Sequence, residues 1–363
     1  MADSIKGVSG LLALHHLVKS RVAGKPVLRQ WAEMLGVFLL HGNGPNFYQM
    51  TGFWQHDYRW STMARHLSYR QFQARVDELN HPLYRKLSQN KLAEKALFTL
   101  MGIPTPRFIG WLDHEWGCDT SGSPLRGAAD LARVVSRHEM RRLCFKLMEG
   151  HGGRGFVAVD VLRGGPEPRF RPLAALGPGP KTDVVYSPAD FIVRLGDQPR
   201  IVEEYLEQHP AYSAFNPTSV NTIRIWVLRR AGAVSSKVAY LRIGRAGSLT
   251  DNIHTGGIAA PVDIRTGRLV GAFDSLATRR RFPVHPDHGA PIEGVLLPMF
   301  TEAKALAERC LTVFPHLHYA GMDVAMTPTG PAILESNVQP SRIGAAIVDM
   351  PTGDVFDAEI TST

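Results

Sequence analysis

Two alternating runs separated by three turn residues restrict this chain's fold more than any other feature of it. Gly321-Met322-Asp323-Val324-Ala325-Met326-Thr327 alternates, Pro328-Thr329-Gly330 reverses the chain, and Pro331-Ala332-Ile333-Leu334-Glu335-Ser336-Asn337 alternates again. Runs linked this closely pair as an antiparallel hairpin. Side chains two apart on a strand share a face, so Glu335 and Asn337 point the same way. With the turn centred on Thr329, Asp323 stands opposite Glu335 on that face. Two carboxylates and a carboxamide side by side are costly to hold without a cation. Hard oxygens of this kind suit Mg²⁺, which keeps its remaining positions for water and phosphate. A solvated hairpin face accounts for the same three residues, and the hairpin alone does not decide between the two.

Upstream, the β-like run 143–148 carries Lys146 into Gly150-His151-Gly152-Gly153-Arg154-Gly155, and a second run, Phe156-Val157-Ala158-Val159, follows. A Walker A loop needs Gly-Lys-Ser/Thr opening a helix, and a dinucleotide fingerprint also needs a following helix. Neither fits strand–glycine loop–strand. What fits is a flexible flap whose backbone N–H groups close on phosphate oxygens, with Gly150, Gly152, Gly153 and Gly155 permitting the approach. An ordinary glycine-rich hairpin has the same pattern. Arg200-Ile201-Val202-Glu203-Glu204-Tyr205-Leu206-Glu207 is a short apolar strand running into acidic residues. It offers what an adenine ring needs, backbone groups and a carboxylate between apolar walls, although taken alone it fits a solvated strand end better.

The run Thr222–Leu228 sends Ile223, Ile225 and Val227 to one face and Arg224 to the other. An arginine fork there suits a γ-phosphate or acyl-phosphate oxygen, a surface salt bridge being the alternative. Arg242 alternates the same way on the next run, Tyr240-Leu241-Arg242-Ile243.

Taken in order, these parts resemble the ATP-grasp superfamily, with Lys91 of Ser88-Gln89-Asn90-Lys91 as the lysine ahead of the first subdomain. Within it the chain looks most like the sugar-transfer-associated ATP-grasp proteins, relatives of the α-L-glutamate-ligase-like proteins. The residues behind that closer likeness run from Glu203 to Pro210 and from Pro217 to Arg224, with Asp251-Asn252, Gly256-Gly257, His285-Pro286-Asp287 and the closing hairpin. The likeness covers residues 80 to 345. It implies an α+β fold in which two subdomains clamp ATP, and Mg²⁺, or Mn²⁺ in its place, on Asp323, Glu335 and Asn337. Lys91 and Lys146 would hold the α- and β-phosphates under the flap. Glu203, Glu204 and the backbone of Tyr205 and Leu206 would face adenine, with Glu207 at the ribose. The loop 251–257 would lie beside the transferred phosphate. Its Asn252 and His254 join Arg224 and Arg242 as catalytic candidates, although a lone histidine is more often structural.

Composition narrows the setting. A chain of 363 residues with 44% hydrophobic content can bury a core of one large or two to three small units. No stretch of about 18 apolar residues exists to span a bilayer, so no membrane partner is expected. Leu11-Leu12-Ala13-Leu14 runs at once into His15-His16, too short and polar for a signal-peptide core. Cys118, Cys144 and Cys310 are far apart and lack metal-ligand spacing, which reads as reduced thiols of a cytoplasmic protein. The charge of +8 and pI near 9.5 admit nucleic acid. The arginines are dispersed, however, apart from Arg279-Arg280-Arg281, and no aromatic platform interleaves them. Positive potential for ATP and an anionic substrate is the better account.

The expected organisation is a mainly helical N-terminal region over 1–85, a first ATP-grasp subdomain with the flap over 86–202, a second with the hairpin over 203–350, and a tail over 351–363. Helices are expected over 91–101, 128–138 and 299–314, and loops over 111–127 and 162–181, the latter rich in Gly-Pro steps. The helical beginning does not read as the β-α-β first domain of many ATP-grasp enzymes. The activity expected is that of a carboxylate–amine ligase. A small-molecule or peptide carboxylate attacks the γ-phosphate, and an amine displaces phosphate from the acyl-phosphate, with Arg224 stabilising developing charge. No nucleophilic side chain is required. Alternatives are a phosphotransferase acting on a hydroxyl and a non-catalytic nucleotide-binding partner in polysaccharide assembly. Substrate identity and oligomeric state do not follow from the sequence.

Overall fold

The computed structural model describes residues 14–19, 24–150, 152–175, 184–274 and 279–357, with the His254 side chain left out. The chain forms two compact units. One comprises residues 1–78, 276–280 and 341–363, the other 79–275 and 281–340. These bounds differ from the expected division at 85 and the expected tail from 351.

Within the first unit the helices Val27–His41, Pro45–Met50 and Trp60–Ala64 enclose Met34, Val37, Phe47, Tyr48, Phe53 and Met63. Its buried charge is satisfied internally: Glu33 accepts from Lys25 Nζ at 2.9 Å and from the Tyr48 hydroxyl at 2.7 Å. Residues near the C-terminus complete this unit. The Arg342 guanidinium lies 3.7 Å from the Phe47 ring centre and donates to Leu67 O, and Arg65 pairs with Asp354 at 2.7 Å. Arg279 donates to Thr51 O and Ala346 O and pairs with Asp349. The one local arginine run is thus partly spent on structure, since Arg281 also pairs with Glu293, in the second unit.

The second unit holds two antiparallel sheets. The first is built from β1 (Phe108–Leu112), β2 (Cys118–Asp119), β3 (Arg142–Leu147), β4 (Val157–Leu162), β5 (Arg169–Pro172) and β6 (Arg200–Glu204), in the order β2-β1-β6-β3-β4-β5. On one face Leu143, Phe145, Val159, Val161, Phe170 and Val202 pack on the helices Ala128–Arg137 and Pro188–Leu195. The alternation of β3 sends Cys144 and Lys146 to the other face. The expected loops over 111–127 and 162–181 are corrected here. They contain β2, part of β1 and β5, where the single apolar residue Phe170 between arginines is enough to fix a strand by burial.

The second sheet runs β11-β10-β9-β8-β7-β12-β13, from β7 (Thr222–Arg230), β8 (Ala233–Ile243), β9 (Ile258–Pro261), β10 (Ala272–Phe273), β11 (Arg281–Phe282), β12 (Tyr319–Thr327) and β13 (Gly330–Asn337). Ile223, Ile225 and Val227 share a core with Ala303, Leu306, Ala307, Cys310 and Leu311 of the helix Phe300–Thr312. That helix spacing of three and four defines one apolar face. Each large side chain buried there contributes about 1.5–3 kcal/mol. The sheet's other face is left for charge.

Candidate active site

The hairpin places its carboxylates by a bulge. Thr327 pairs with Gly330, so the turn is the two residues Pro328-Thr329, and the register holds to Val324 opposite Ile333. Leu334 is then unpaired, and beyond it Asp323 faces Glu335 and Gly321 faces Asn337. The expected opposition of Asp323 and Glu335 holds, but through one extra residue rather than a longer turn. An inserted residue turns every later side chain to the other face. Without it Glu335 and Asn337 would follow Ile333 into the core.

Asp323 is buried between two guanidiniums. Arg224, directly across on β7, grips it through Nε and through Nη2 at 2.9 Å, and Arg242 Nη1 lies 3.1 Å away. Burial raises this carboxyl above its ordinary range, and the two arginines oppose the shift. Glu335 pairs with Lys91 Nζ at 2.7 Å. Burial works against its ionised form, but Lys91, with Arg224 and Arg242, holds it well below the usual carboxylate range. The argument that these carboxylates need a metal to stay together is therefore corrected. Lys91, Arg224 and Arg242 supply the compensating charge.

Lys91 opens the helix Lys91–Leu100, whose start is fixed by the Asn90 side chain accepting from Ala93 N–H at 3.0 Å. One turn on, Lys95 lies on the same face, and this residue the sequence reading missed. Lys95 and Lys146 both pair with Glu203, at 2.7 and 2.6 Å, and all three side chains are largely buried. Glu203 is the clearest correction. Expected to face an adenine amine, it instead neutralises two lysines, which hold its carboxyl low against the cost of burial. Tyr205 N–H is likewise spent on Arg142 O, at 3.1 Å. Glu204 and Leu206 remain half-buried and Glu207 exposed, so the polar edge of the linker begins one residue later than expected.

Two further acids had been given no role. Glu94 is fully buried and accepts from Ser336 N–H at 2.7 Å and from its hydroxyl; burial pushes its carboxyl up to about 7. Asp251 accepts from Arg242 Nη2 at 2.5 Å and from Thr222 N–H at 3.0 Å, so Arg242 bridges two carboxylates. A helical-phase reading from Lys91 would have found Lys95; Asp251 was marked by the likeness of its loop, but no local signal marks it as a partner of Arg242.

The flap joins β3 to β4 as expected. Gly152, Gly153 and Gly155 have φ of 66°, 74° and 65°, a region that side-chain-bearing residues rarely adopt, whereas Gly150 does not need it. Asn252 Nδ2 donates to Gly152 O at 2.8 Å, and a Cβ on Gly153 would meet Thr250 Cγ2 at 2.9 Å. At the flap's base Arg200, which the sequence did not single out, donates to Gly155 O at 2.5 Å and to Leu195 O at 2.9 Å. The His254 side chain, expected beside Asn252, lies outside the described residues. Among those residues, no three His, Cys, Asp or Glu side chains converge as a metal-ligand set.

Solved structures similar to this chain include the D-alanine–D-alanine ligase from Coxiella burnetii, at 13% identity and a TM-score of 0.40, with 74% of this chain and 55% of that one covered. Another is the N5-carboxyaminoimidazole synthetase from Staphylococcus aureus complexed with ADP, at 10% and 0.41, covering 80% and 59%. A third is the L-amino acid ligase from Bacillus licheniformis, at 10% and 0.39, covering 72% and 43%. The chain thus spans less than two thirds of the length of each. A search of curated proteins finds no match. The family model described as sugar-transfer associated ATP-grasp matches residues 71–363. The two sheets are therefore an ATP-grasp fold of the α+β class, and the chain belongs to the sugar-transfer-associated ATP-grasp family.

Proposed function

We propose that this protein is an ATP-dependent carboxylate–amine ligase working in the cytoplasm on small-molecule or peptide substrates. The observation that carries the reading is the convergence of Arg224, Arg242 and Lys91 on Asp323 and Glu335, next to a loop that the glycine flap touches through Asn252. Such an array is suited to charge that appears only during phosphoryl transfer, because its dipoles and cations are already in place. Lys91 and Lys146 are the candidates for phosphate oxygens, each now neutralised by a carboxylate. Glu204, with the backbone around Leu206, takes over the adenine role from Glu203, and Glu207 stays the candidate at the ribose.

Asp323, Glu335 and Asn337 would hold Mg²⁺ or Mn²⁺ as hard oxygen donors on one face, with Glu335 only partly covered and Asp323 exchanging a guanidinium contact with Arg224 or Arg242 for the cation. A divalent cation held there would supply neutralisation of phosphate charge. The substrate carboxylate oxygen attacks the γ-phosphorus, the bond to the β-phosphate oxygen breaks, and ADP leaves. An amine then adds to the acyl carbon and phosphate departs, leaving an amide. Arg224 and Arg242 stabilise the transferred group, and the flap excludes water that would otherwise intercept it.

The test is a panel of amino acids and sugar acids scored for ADP and phosphate release, with hydroxylamine as the amine surrogate. A hydroxamate formed only with ATP and one carboxylate supports the ligase. A stable phosphate ester formed without free phosphate would overturn it in favour of a phosphotransferase.

A further inference from the structure

The helix Val27–His41 buries Gln30, Glu33, Met34 and Val37, the face toward its own core. The opposite face of such a helix is ordinarily polar. Here it carries Leu28, Leu35, Phe38, Leu39 and Leu40, each between 54% and 84% exposed. Leu28, Ala32, Leu35 and Leu39 recur at four, seven and eleven residues and form one stripe, with Phe38 and Leu40 beside it. The stripe widens at Gly36, where a Cβ would come within 2.8 Å of the Trp60 ring, and Trp60 is itself exposed. Exposures this high describe a ridge, since residues lining a groove would be covered by its walls.

Charge around the ridge is weighted toward the positive. Over residues 27–70 the acids are Glu33, buried and paired with Lys25 and Arg29, and the exposed Asp57. Against them stand Arg29, Arg59, Arg65 and Arg70, all exposed; Arg29 pairs with Glu33 and Arg65 with Asp354, which leaves Arg59 and Arg70 to meet an outside anion. A second copy of the chain is a poor fit, because a stable interface takes about 20–30 residues a side and the ridge offers far fewer. A peptide would need a groove. A bilayer surface accepts a convex apolar ridge without shape matching, and an anionic one also attracts the arginines.

We propose that the helix Val27–His41 docks this protein on an anionic bilayer surface, with Leu28, Leu35, Phe38, Leu39 and Leu40 entering the headgroup–acyl boundary and Arg59 and Arg70 meeting lipid phosphates. The lack of a spanning helix among the described residues leaves such surface binding open. The full-length protein is floated with vesicles of phosphatidylcholine alone and with added phosphatidylglycerol. Wild type should float with the anionic vesicles and less so as salt rises. Leu35→Glu/Leu39→Glu, at exposed positions, should lower partitioning about 100-fold while circular dichroism and ATP turnover are unchanged. Arg59→Ser/Arg70→Ser, which leaves the ridge intact, should lower it less and flatten its salt dependence. Absence of flotation, or flotation indifferent to the leucine pair, would overturn the proposal. So would light scattering that shows a dimer which the leucine variant dissociates.

Discussion

The closing hairpin and the glycine flap flank the same candidate site and are held in opposite ways. On the hairpin, Asp323 is gripped by Arg224 and Arg242, Arg242 is gripped again by Asp251, and Glu335 by Lys91. The flap's ties include the Asn252 contact at its tip, the Arg200 contact at its base, and the exposed Glu149, which pairs with Lys86 at 2.8 Å and accepts from Asn90, with glycines between. The difference teaches a division of labour. Electrostatic stabilisation of a transition state needs groups that do not reorganise, so they are over-determined. Closure over a substrate needs states close in energy, and the flap's tip contact is neutral and its Glu149 pair solvent-exposed.

Breaking the hairpin side should therefore have the largest effect. Asp323→Asn leaves two buried guanidiniums short of a counter-charge, and breaking a buried pair in this way costs about 3–5 kcal/mol. The strand-face position alone would have predicted little loss of stability; burial and the two arginines reverse that expectation. Glu335→Gln meets Lys91 at a partly solvated site, where an ion pair is worth at most about 1 kcal/mol. Both substitutions should nearly abolish ATP turnover. Urea denaturation separates them, and equal stabilities for the two variants would remove the contrast.

A smaller effect is set by pH. Glu94 is raised by burial from 4.5 to about 7, so the folded protein binds more protons than the unfolded chain between those values. Its contribution is fully present below pH 4.5 and is lost as pH rises through 7, by at most about 3 kcal/mol. Glu94→Gln keeps an acceptor for Ser336 and cannot ionise. Its stability should change less than wild type's between pH 5 and 8, as read from denaturation at each pH. Parallel curves for the two proteins would show that Glu94 is ionised throughout.

The legible parts of this fold were those written in local periodicity. The alternation of Thr222–Leu228 gave the buried and charged faces of β7, and strand–glycine–strand gave the flap. The opposition of Asp323 and Glu335 was legible only by luck of arithmetic, because a shorter turn and the Leu334 bulge cancel. Glu203 was misread because its partners, Lys95 and Lys146, are far from it in sequence, and spacing carries no record of a pair closed by the fold. Asp251 was overlooked as a partner of Arg242 for the same reason. The β5 strand hid among Gly-Pro steps because one buried phenylalanine sufficed to hold it.

The flap side supplies the last and smallest prediction. Asn252→Ala removes the hydrogen bond to Gly152 O and nothing from the hairpin's ion pairs. A neutral hydrogen bond of this kind contributes about 0.5–1.5 kcal/mol, enough to shift closed and open states by several-fold and too little to unfold the protein. Amide exchange across residues 149–156 should therefore quicken in the variant, while exchange along β12 and β13 stays as in wild type. ATP with Mg²⁺ should slow flap exchange in both proteins, less in the variant, and the KM for ATP should rise several-fold with kcat nearly kept. Flap exchange that is already slow and indifferent to the substitution would mean a rigid structural hairpin. The contrast between a fixed electrostatic wall and a lightly tied flap would then fail at its weaker end.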